Sequence, residues 1–506
     1  MAQPLFIGID IGTQGTKTVL CCANGKCIAE AFISSELFRP NNNTVYEDAD
    51  IIFASVIKTV RSVVEKAGPQ AGTAAAIGID SQMAGIMGIG KDGQAVTPYD
   101  SWLDSRCAPY TELLEREAGD EAIQRSGGQI IHTHASKILW WKHEQPEAYK
   151  RITSFVQPNA YVAGRLCGLP GTEGYMDPTF LHFNCFSDNQ RKCFNENIME
   201  HFKVAPEKMP RVVSSESVIG TVKEPYASAM GIPKGVPVIA GCGDTAASSL
   251  GAGITRAGIA YDVAGTASVF ACGTVKYSPD TKYHTILYSR SVVEGLFLPL
   301  AYISGGGLCL SWYSQISKTG LKELDHLAAA APSGARDVIF LPHFSGRTCP
   351  LDDKVHGAFL GLTNNSDSGS LYRAIMESIA YEYHSYLSIL RDSGAIENLD
   401  VIRGIGGGAK SPVFSQIKAD VLGTPYAAQI NADSAPSAMA RLAGHATGYI
   451  TGSLTELFEP CPEDQKIYSP DESLYTVYEN YASQYKQLLN SYTAFIANKQ
   501  EGKEEK

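Results

Sequence analysis

Apolar residues recur along this chain in two rhythms. Short runs in which nearly every position is hydrophobic read as buried strands. Longer stretches with apolar residues every three or four positions read as helices. Leu5–Asp10 is a run of the first kind, and Lys17–Cys22 reads as its hairpin partner. Ala49–Lys66 carries Ile51, Ile52, Ala54, Val56, Ile57, Val60 and Val63 at helical spacing, with Asp50 near its start. Ala74–Asp80 is a short apolar strand running into Ser81-Gln82, and Ser136–Gln157 reads as a helix interrupted at Pro146. A turn at Ile232-Pro233-Lys234-Gly235 precedes strand Pro237–Ala240. The glycine turn Gly241-Cys242-Gly243-Asp244 then opens the small-residue helix Thr245–Ala252.

The rhythm restarts after a boundary near Gly251–Ala257. Strand Gly258–Val263 is followed by strand Phe297–Ile303, which runs into Gly305-Gly306-Gly307 and a helix from Leu308. A long helix covers Ser370–Asp392. Strand Val401–Gly404 meets Gly406-Gly407-Gly408-Ala409 before a helix from Pro412 to Leu422. Alternating strands and helices in both halves predict two α/β domains, 1–254 and 255–450. A helical extension over 451–498 and a charged tail without reason to fold, 499–506, complete the expectation.

One phrase occurs twice. Ile7-Gly8-Ile9-Asp10-Ile11-Gly12-Thr13 and Ile259-Ala260-Tyr261-Asp262-Val263-Ala264-Gly265-Thr266 each set one Asp in an apolar strand before a Gly-Thr turn. Such turns expose backbone N–H groups that can hold phosphate oxygens. A duplicated domain using a nucleotide is the expectation.

Bulk properties narrow the class. A net charge of −11 over 506 residues excludes a nucleic-acid surface as the main activity. No apolar run approaches the ~20 residues of a membrane helix. The start, MAQPLFIGID, lacks the basic region of a signal peptide. Twelve scattered cysteines without a CxxC pair fit reduced thiols in a cytoplasmic protein, and the eleven histidines form no HExxH zinc motif.

The loop Gly12-Thr13-Gln14-Gly15 is no Walker A, because no glycine precedes Lys17 and a strand follows it. A carboxylate inside a strand needs a partner, and Mg²⁺ near Asp10 would supply one. Gly404–Ser411 imitates both Walker A and the dinucleotide fingerprint, but sits too late in the chain for either. It reads as a glycine loop at a helix N-terminus. Asp244, at the C-terminal end of a strand, stands where open α/β sheets place ligands. The same residue could simply cap the next helix. Trp102, Asp104 and Arg106 would suit a sugar, Trp140-Trp141 reads as packing, and Asp262 receives no role.

The ordered series GIDIGTQGTK, SQMAG, YDSWLDSR, SKILWWKHEQPE, GCGDTAA, GTAS, LPHFSGRTCP, GAFLGL, LYRAIMESIA and GIGGGAKSPVFSQIKADVLG resembles the FGGY carbohydrate kinases from about Phe6 to Gly448. That resemblance implies two actin-like (ribonuclease H-like) α/β domains flanking a catalytic cleft, with ATP and Mg²⁺ as cofactors. It puts the general base on Asp244 and the metal on Asp10. It puts phosphates at Gly12, Thr13, Gln14 and Lys17 and at Gly265, Thr266, Gly307 and Ser311, and the nucleotide at Gly407, Gly408 and Ala409. Gln82, Met83, Trp102 and Asp104 would line the sugar pocket beside Asp244.

Within the family the chain is most similar to xylulokinase-type members, but Ala84 stands where they carry His and Thr245 where they carry Asn. Ser370 is a smaller departure. A site built to hydrogen-bond a hydroxyl is sensitive to such losses. A ketopentose such as xylulose is therefore expected, with gluconate, ribulose or a tetritol or other polyol open. An actin- or chaperone-like ATPase and, more remotely, an NAD-linked oxidoreductase are the readings from other classes. Dimers are common in the family, which makes a homodimer the assembly to test. No membrane or nucleic-acid partner is expected.

Overall fold

The structure, a computed structural model, describes residues 3–69, 74–430 and 434–504. Contacts divide the chain into two units. One comprises Met1–Gly253, Tyr288–Leu296 and Asp433–Phe458, the other Ile254–Leu287, Phe297–Ala432 and Glu459–Lys506. Relative to the contiguous domains expected from sequence, 288–296 and 433–458 thus group with the first unit.

In the first unit, β1 (Leu5–Gly12), β2 (Gly15–Cys22) and β3 (Cys27–Ser34) form an antiparallel meander. β4 (Ala74–Ser81) joins β1 in parallel, and β5 (Val218–Thr221) and β6 (Pro237–Ile239) extend the sheet to the order β3-β2-β1-β4-β6-β5. The short β7 (Cys242–Gly243) also pairs with β4. Helix Ala49–Ala67 buries Ile52, Val56, Val60 and Val63, and Asp48 caps it by accepting from the amides of Asp50 and Ile51.

Helix Ala435–Ala446 lies on the same sheet. Its Ala438, Met439, Leu442 and Ala443 pack with Phe6, Val19, Ala76 and Ile239. The approach is so close that a Cβ on Gly8 would stand 1.7 Å from the Pro436 carbonyl oxygen, and one on Gly78 2.4 Å from that of Met439. Glycine is required at both strand positions for the helix to seat.

The second unit repeats the plan. β8 (Ile259–Ala264), β9 (Ser268–Cys272) and β10 (Phe297–Ile303) form an antiparallel meander. β11 (Val401–Ile405) runs parallel to β8, β12 (Tyr426–Gln429) parallel to β11, and β13 (Gln465–Tyr468) antiparallel to β12. Over these six strands the order β10-β9-β8-β11-β12-β13 matches the order β3-β2-β1-β4-β6-β5 of the first sheet, including the antiparallel outer strand. This is the duplication that the repeated phrase announced. Helix Tyr475–Glu504 is tied to this unit by Tyr478, whose hydroxyl donates to Glu377 at 3.0 Å, and by Tyr485, which donates to Glu382 at 2.6 Å.

Several expectations change. The stretch 136–157 is two helices, His134–Glu144 and Pro146–Arg151, followed by strand Ser154–Val156 paired with Met87–Ile89. Pro146 occupies the first position of a new helix, where its missing N–H costs nothing. The charged end expected to be unfolded from Lys499 is helical as far as Glu504, and Glu505 and Lys506 lie outside the described residues. No helix among the described residues is long and apolar enough to cross a membrane.

Asp262 acquires a structural role. In register it faces Phe270 and Gly404, so the pairing around Asp10 is not reproduced. Its carboxylate is fully buried, accepts from the hydroxyls of Tyr383 and Tyr426, each at 2.7 Å, and pairs with the buried ammonium of Lys418. Removing one partner of a buried ion pair strands the other charge, at a cost of about 3–5 kcal/mol. Lys418→Ala is therefore expected to lower stability by that amount in urea unfolding, with Asp262→Asn/Lys418→Met recovering most of it. A loss under ~1 kcal/mol in the single variant would show that the pair is not a structural anchor.

Candidate active site

Three aspartates converge in the first unit because of strand register. Asp10 on β1 faces Asp80 on β4 and Lys17 on β2, and Asp80 in turn faces Cys242 on β7, two residues before Asp244. Asp80 is fully buried with its carboxyl against that of Asp10, and among the described residues no other donor reaches either of its oxygens or Oδ1 of Asp10. Burial, then the negative charges of Asp10 and Asp244, pushes the Asp80 carboxyl well above the usual carboxylate range. Burial also raises Asp10, against the hydrogen bond with Asp80 and the pull of Lys17. Lys17 is partly exposed and pairs at 3.1 Å with Glu30.

Asp244 does not cap its helix. The helix Asp244–Gly251 begins at Asp244 itself, Gly243 is the N-cap, and no side chain caps it. Among the described residues, Oδ1 of Asp244 accepts only from its neighbour Thr245, through the amide at 2.6 Å and the hydroxyl at 3.2 Å. The capping alternative is thereby set aside. Burial, then the charge of Asp10, pushes the Asp244 carboxyl up to about 7. A carboxyl poised near neutrality can take a proton in one step and return it in the next.

The turn that presents Asp244 depends on glycine. Gly241 has φ of 73°, and a Cβ there would stand 1.8 Å from the Ile79 carbonyl oxygen. A Cβ on Gly243 would meet the Met83 thioether at 2.4–2.5 Å, so Met83 packs directly on this turn. Beside it runs a chain of hydrogen bonds. Trp102 Nε1 donates to Thr13 Oγ1 at 2.8 Å, Thr13 donates to Gln82 Oε1 at 3.1 Å, and Gln82 Nε2 donates to Glu47 at 2.6 Å. The structure thus joins Thr13, Gln82 and the half-exposed Trp102 in one network, and Met83, next to Gln82, packs on the turn that precedes Asp244. Gln14 is exposed beside Gly12, and its carbonyl accepts from the Ser35 amide.

Asp104 stands apart. Its carboxylate is buried, with Oδ2 accepting from the Val45 amide at 2.8 Å and Oδ1 from Arg106 Nε at 3.1 Å. Arg106 also pairs with Asp100 and lies 4.2 Å from the Trp140 ring, while Trp141 Nε1 donates to Asp100. Asp104 and the tryptophan pair are parts of one packed node, as expected for Trp140-Trp141. Ala84, at the position of the xylulokinase-type His, has φ of 63° and offers no polar side chain.

The second unit carries an open pocket of about 530 Å³. Gly265, Thr266, Gly307, Ser311, Gly407 and Gly408 line it, together with the apolar Tyr372, Met376 and Phe414. Ala409 is buried and does not line it; Lys410 and Ser411 do. The amides of Gly307 and Leu308 donate to the carbonyls of Gly265 and Thr266, each at 3.0 Å, so the two glycine turns brace each other. Sequence reasoning missed Asp80 as a chemical group, and missed Asp325, Lys322 and Tyr372 in the pocket. Asp80 alone carried a signal: an acid closing an apolar strand, like Asp10.

Among the described residues no three His, Cys, Asp or Glu side chains are spaced to hold a metal by themselves. The oxygens of Asp10 and Asp80 that no other donor reaches fit a hard cation that completes its shell with phosphate and water.

Comparison with known proteins places this geometry. The FGGY family of carbohydrate kinases, N-terminal domain, matches residues 5–251, and the C-terminal domain of the same family matches 260–447. The chain is 25% identical to xylulose kinase of Bacillus subtilis (strain 168), over 97% of this chain and 99% of that one. It is 24% identical to gluconokinase of the same organism, over 88% of each. The ligand-bound xylulose kinase structure from Lactobacillus acidophilus superposes with a TM-score of 0.89 at 23% identity, covering 98% of this chain and 99% of that one. With its duplicated α/β units and both domain matches spanning most of its length, this chain belongs to the FGGY family of carbohydrate kinases, phosphotransferases with an alcohol group as acceptor.

Proposed function

We propose that the protein transfers the γ-phosphoryl group of MgATP to a hydroxyl of a small sugar, most simply a ketopentose such as xylulose. The observation that carries this reading is Asp244, a carboxyl raised to about 7 at a strand end, directly after the Gly243 backbone on which Met83 packs. Asp244 accepts the acceptor hydroxyl's proton as that oxygen attacks the γ-phosphorus in line. Gln82, Met83 and Trp102 orient the sugar, while Asp104 supports that wall from behind through Arg106.

On the nucleotide side, Tyr372, Met376 and Phe414 offer apolar surface to the base, and Gly407 and Gly408 let it lie against backbone. Within the second unit Gly265, Thr266 and Ser311 are the groups that would face phosphates, and within the first unit Gly12, Thr13 and Gln14 offer the same backbone chemistry. Asp10, with Asp80 behind it, would hold Mg²⁺, which neutralises charge on the phosphoryl oxygens when bound. The ATPase and oxidoreductase alternatives lose their ground with membership in a family of carbohydrate kinases.

A second reading, an aldonate such as gluconate, is supported by the gluconokinase relative and by two features of the site. Ala84 presents no hydrogen-bonding side chain, and the Thr245 hydroxyl is committed to Asp244. Both are groups that a xylulokinase-type pattern would turn toward the sugar.

A coupled ADP-release assay over ketopentoses, aldonates, tetritols and hexuloses is expected to show turnover with one class. Asp244→Asn is expected to lower that turnover by at least about 10³-fold with ATP affinity within a few-fold of wild type. Near-normal turnover in this variant would remove Asp244 as the base.

The same carboxyl links stability to pH. Its folded-state value is raised from 3.8 to about 7, so the stability it contributes is present below pH ~4 and lost as pH rises toward 7. Fully ionised, it costs up to about 4 kcal/mol, at about 1.4 kcal/mol per unit. In metal-free protein, Asp244→Asn is therefore expected to melt above wild type at pH 8 and level with it at pH 4. A Tm difference that is constant across that range would show that Asp244 is not strained by its surroundings.

A further inference from the structure

A second buried carboxylate holds the turn that presents Asp244, and nothing in the catalytic reading uses it. Asp177 is fully buried. Its Oδ1 accepts from the Thr179 amide at 3.2 Å and from the Thr179 hydroxyl, and its Oδ2 accepts from the Ser215 hydroxyl. Each of these partners then holds one end of the turn. Thr179 Oγ1 accepts the amide of Gly243 at 2.9 Å, and the backbone carbonyl of Ser215 accepts the amide of Gly241 at 3.0 Å.

The direction of these bonds matters. A threonine hydroxyl has one proton and two lone pairs. With its proton committed to Asp177, Thr179 can present only a lone pair to the Gly243 N–H. The carbonyl before the turn is held as well, since Ala240 O accepts from Asn159 Nδ2 at 3.2 Å and from the Tyr175 hydroxyl at 3.1 Å. Ala240 O and the amides of Gly241 and Gly243 are therefore each held, up to the residue before Asp244. Among the described residues no cation pairs with Asp177. Its near neighbours are the two hydroxyls and the uncharged Tyr175 and Cys242, and burial pushes its carboxyl up to about 7 against the pull of its hydrogen bonds. An acid kept at such a cost has a positional task.

We propose that Asp177 is a positioning residue for phosphoryl transfer, clamping the Gly241–Gly243 turn through Thr179 and Ser215 so that the Asp244 carboxylate meets the acceptor hydroxyl. The proposal rests on the reading of Asp244 as the base. A small misplacement of a catalytic group lowers the rate far more than it lowers binding.

The test compares Thr179→Val, Thr179→Ser and Asp177→Asn in the full chain. Two readouts are taken: amide hydrogen exchange over residues 240–245 without substrate, and kcat and KM with the best acceptor. In Thr179→Val the exchange over this segment is expected to rise at least about tenfold, the scale of one lost hydrogen bond. Its kcat is expected to fall at least about tenfold with KM for ATP within about twofold. Thr179→Ser, which keeps the hydroxyl, should return both to within about threefold of wild type. Asp177→Asn should resemble Thr179→Val; if it does not fold, the Thr179 pair decides.

Exchange and kcat in Thr179→Val within twofold of wild type would overturn the proposal. So would a Thr179→Ser variant as impaired as Thr179→Val, because the hydroxyl would then not be the operative group. Faster exchange with unchanged kcat would overturn the catalytic role while leaving the clamp. If wild type phosphorylates no carbohydrate, the reading of Asp244 falls, and the exchange measurement still decides whether the clamp exists.

Discussion

Carboxylates repel, and a protein interior magnifies the repulsion because little solvent screens it. β1 and β4 nevertheless run in parallel with Asp10 opposite Asp80, and β7 brings Asp244 to the same C-terminal end of these central strands. Such an arrangement is unfavourable in the absence of a cation or a bound proton, and the raised carboxyls of all three residues record that cost. Much of the rest of the first unit serves to make it tolerable and useful. The glycines at 241 and 243 let the backbone approach, Met83 fills the space against them, and Lys17 supplies partial compensation from the neighbouring strand. Stability is given up locally where chemistry needs a poised acid, and the surrounding sheet over-determines the geometry.

The duplicated sheet shows how the same frame serves two ends. Around Asp10 the register supplies another acid and a lysine on an adjacent strand. Around Asp262 it supplies Phe270 and Gly404, and the charge is answered from outside the register by Lys418, Tyr383 and Tyr426. One aspartate is left facing another acid and the other is fully satisfied. Function and structure diverged at equivalent positions of one repeat.

Much of this was legible in the sequence because the informative signals are local. Buried strands, the Gly-Thr turns and the helices at 49, 370 and 412 announce themselves through apolar periodicity and glycine placement. The role of Asp80 was not legible, since it depends on which strand lies beside β1. Nor was the hydrogen bond by which the Val45 amide, 59 residues away, holds the Asp104 carboxylate. The late helix 435–446 belongs to the first sheet through Gly8 and Gly78, contacts more than 350 residues apart that no window of sequence can reveal. Ala409 fell inside the loop by motif, but its methyl turned into the core and left Lys410 and Ser411 at the pocket.

That late helix sets a schedule for the nascent chain. The strands of the first sheet are complete by Gly243, and helix Asp244–Gly251 adds Ala246, Ala247 and Leu250 to the face bearing Phe6, Val19, Ala76 and Ile239. Yet the rest of its cover is missing until Ala435–Ala446 leaves the ribosome, roughly 180 residues after Gly253. At about 5–20 residues per second, that wait is on the order of 10–40 s. During synthesis the apolar face must be shielded by something other than its native partner. The N-terminal unit, first to be made, is therefore among the last to be finished.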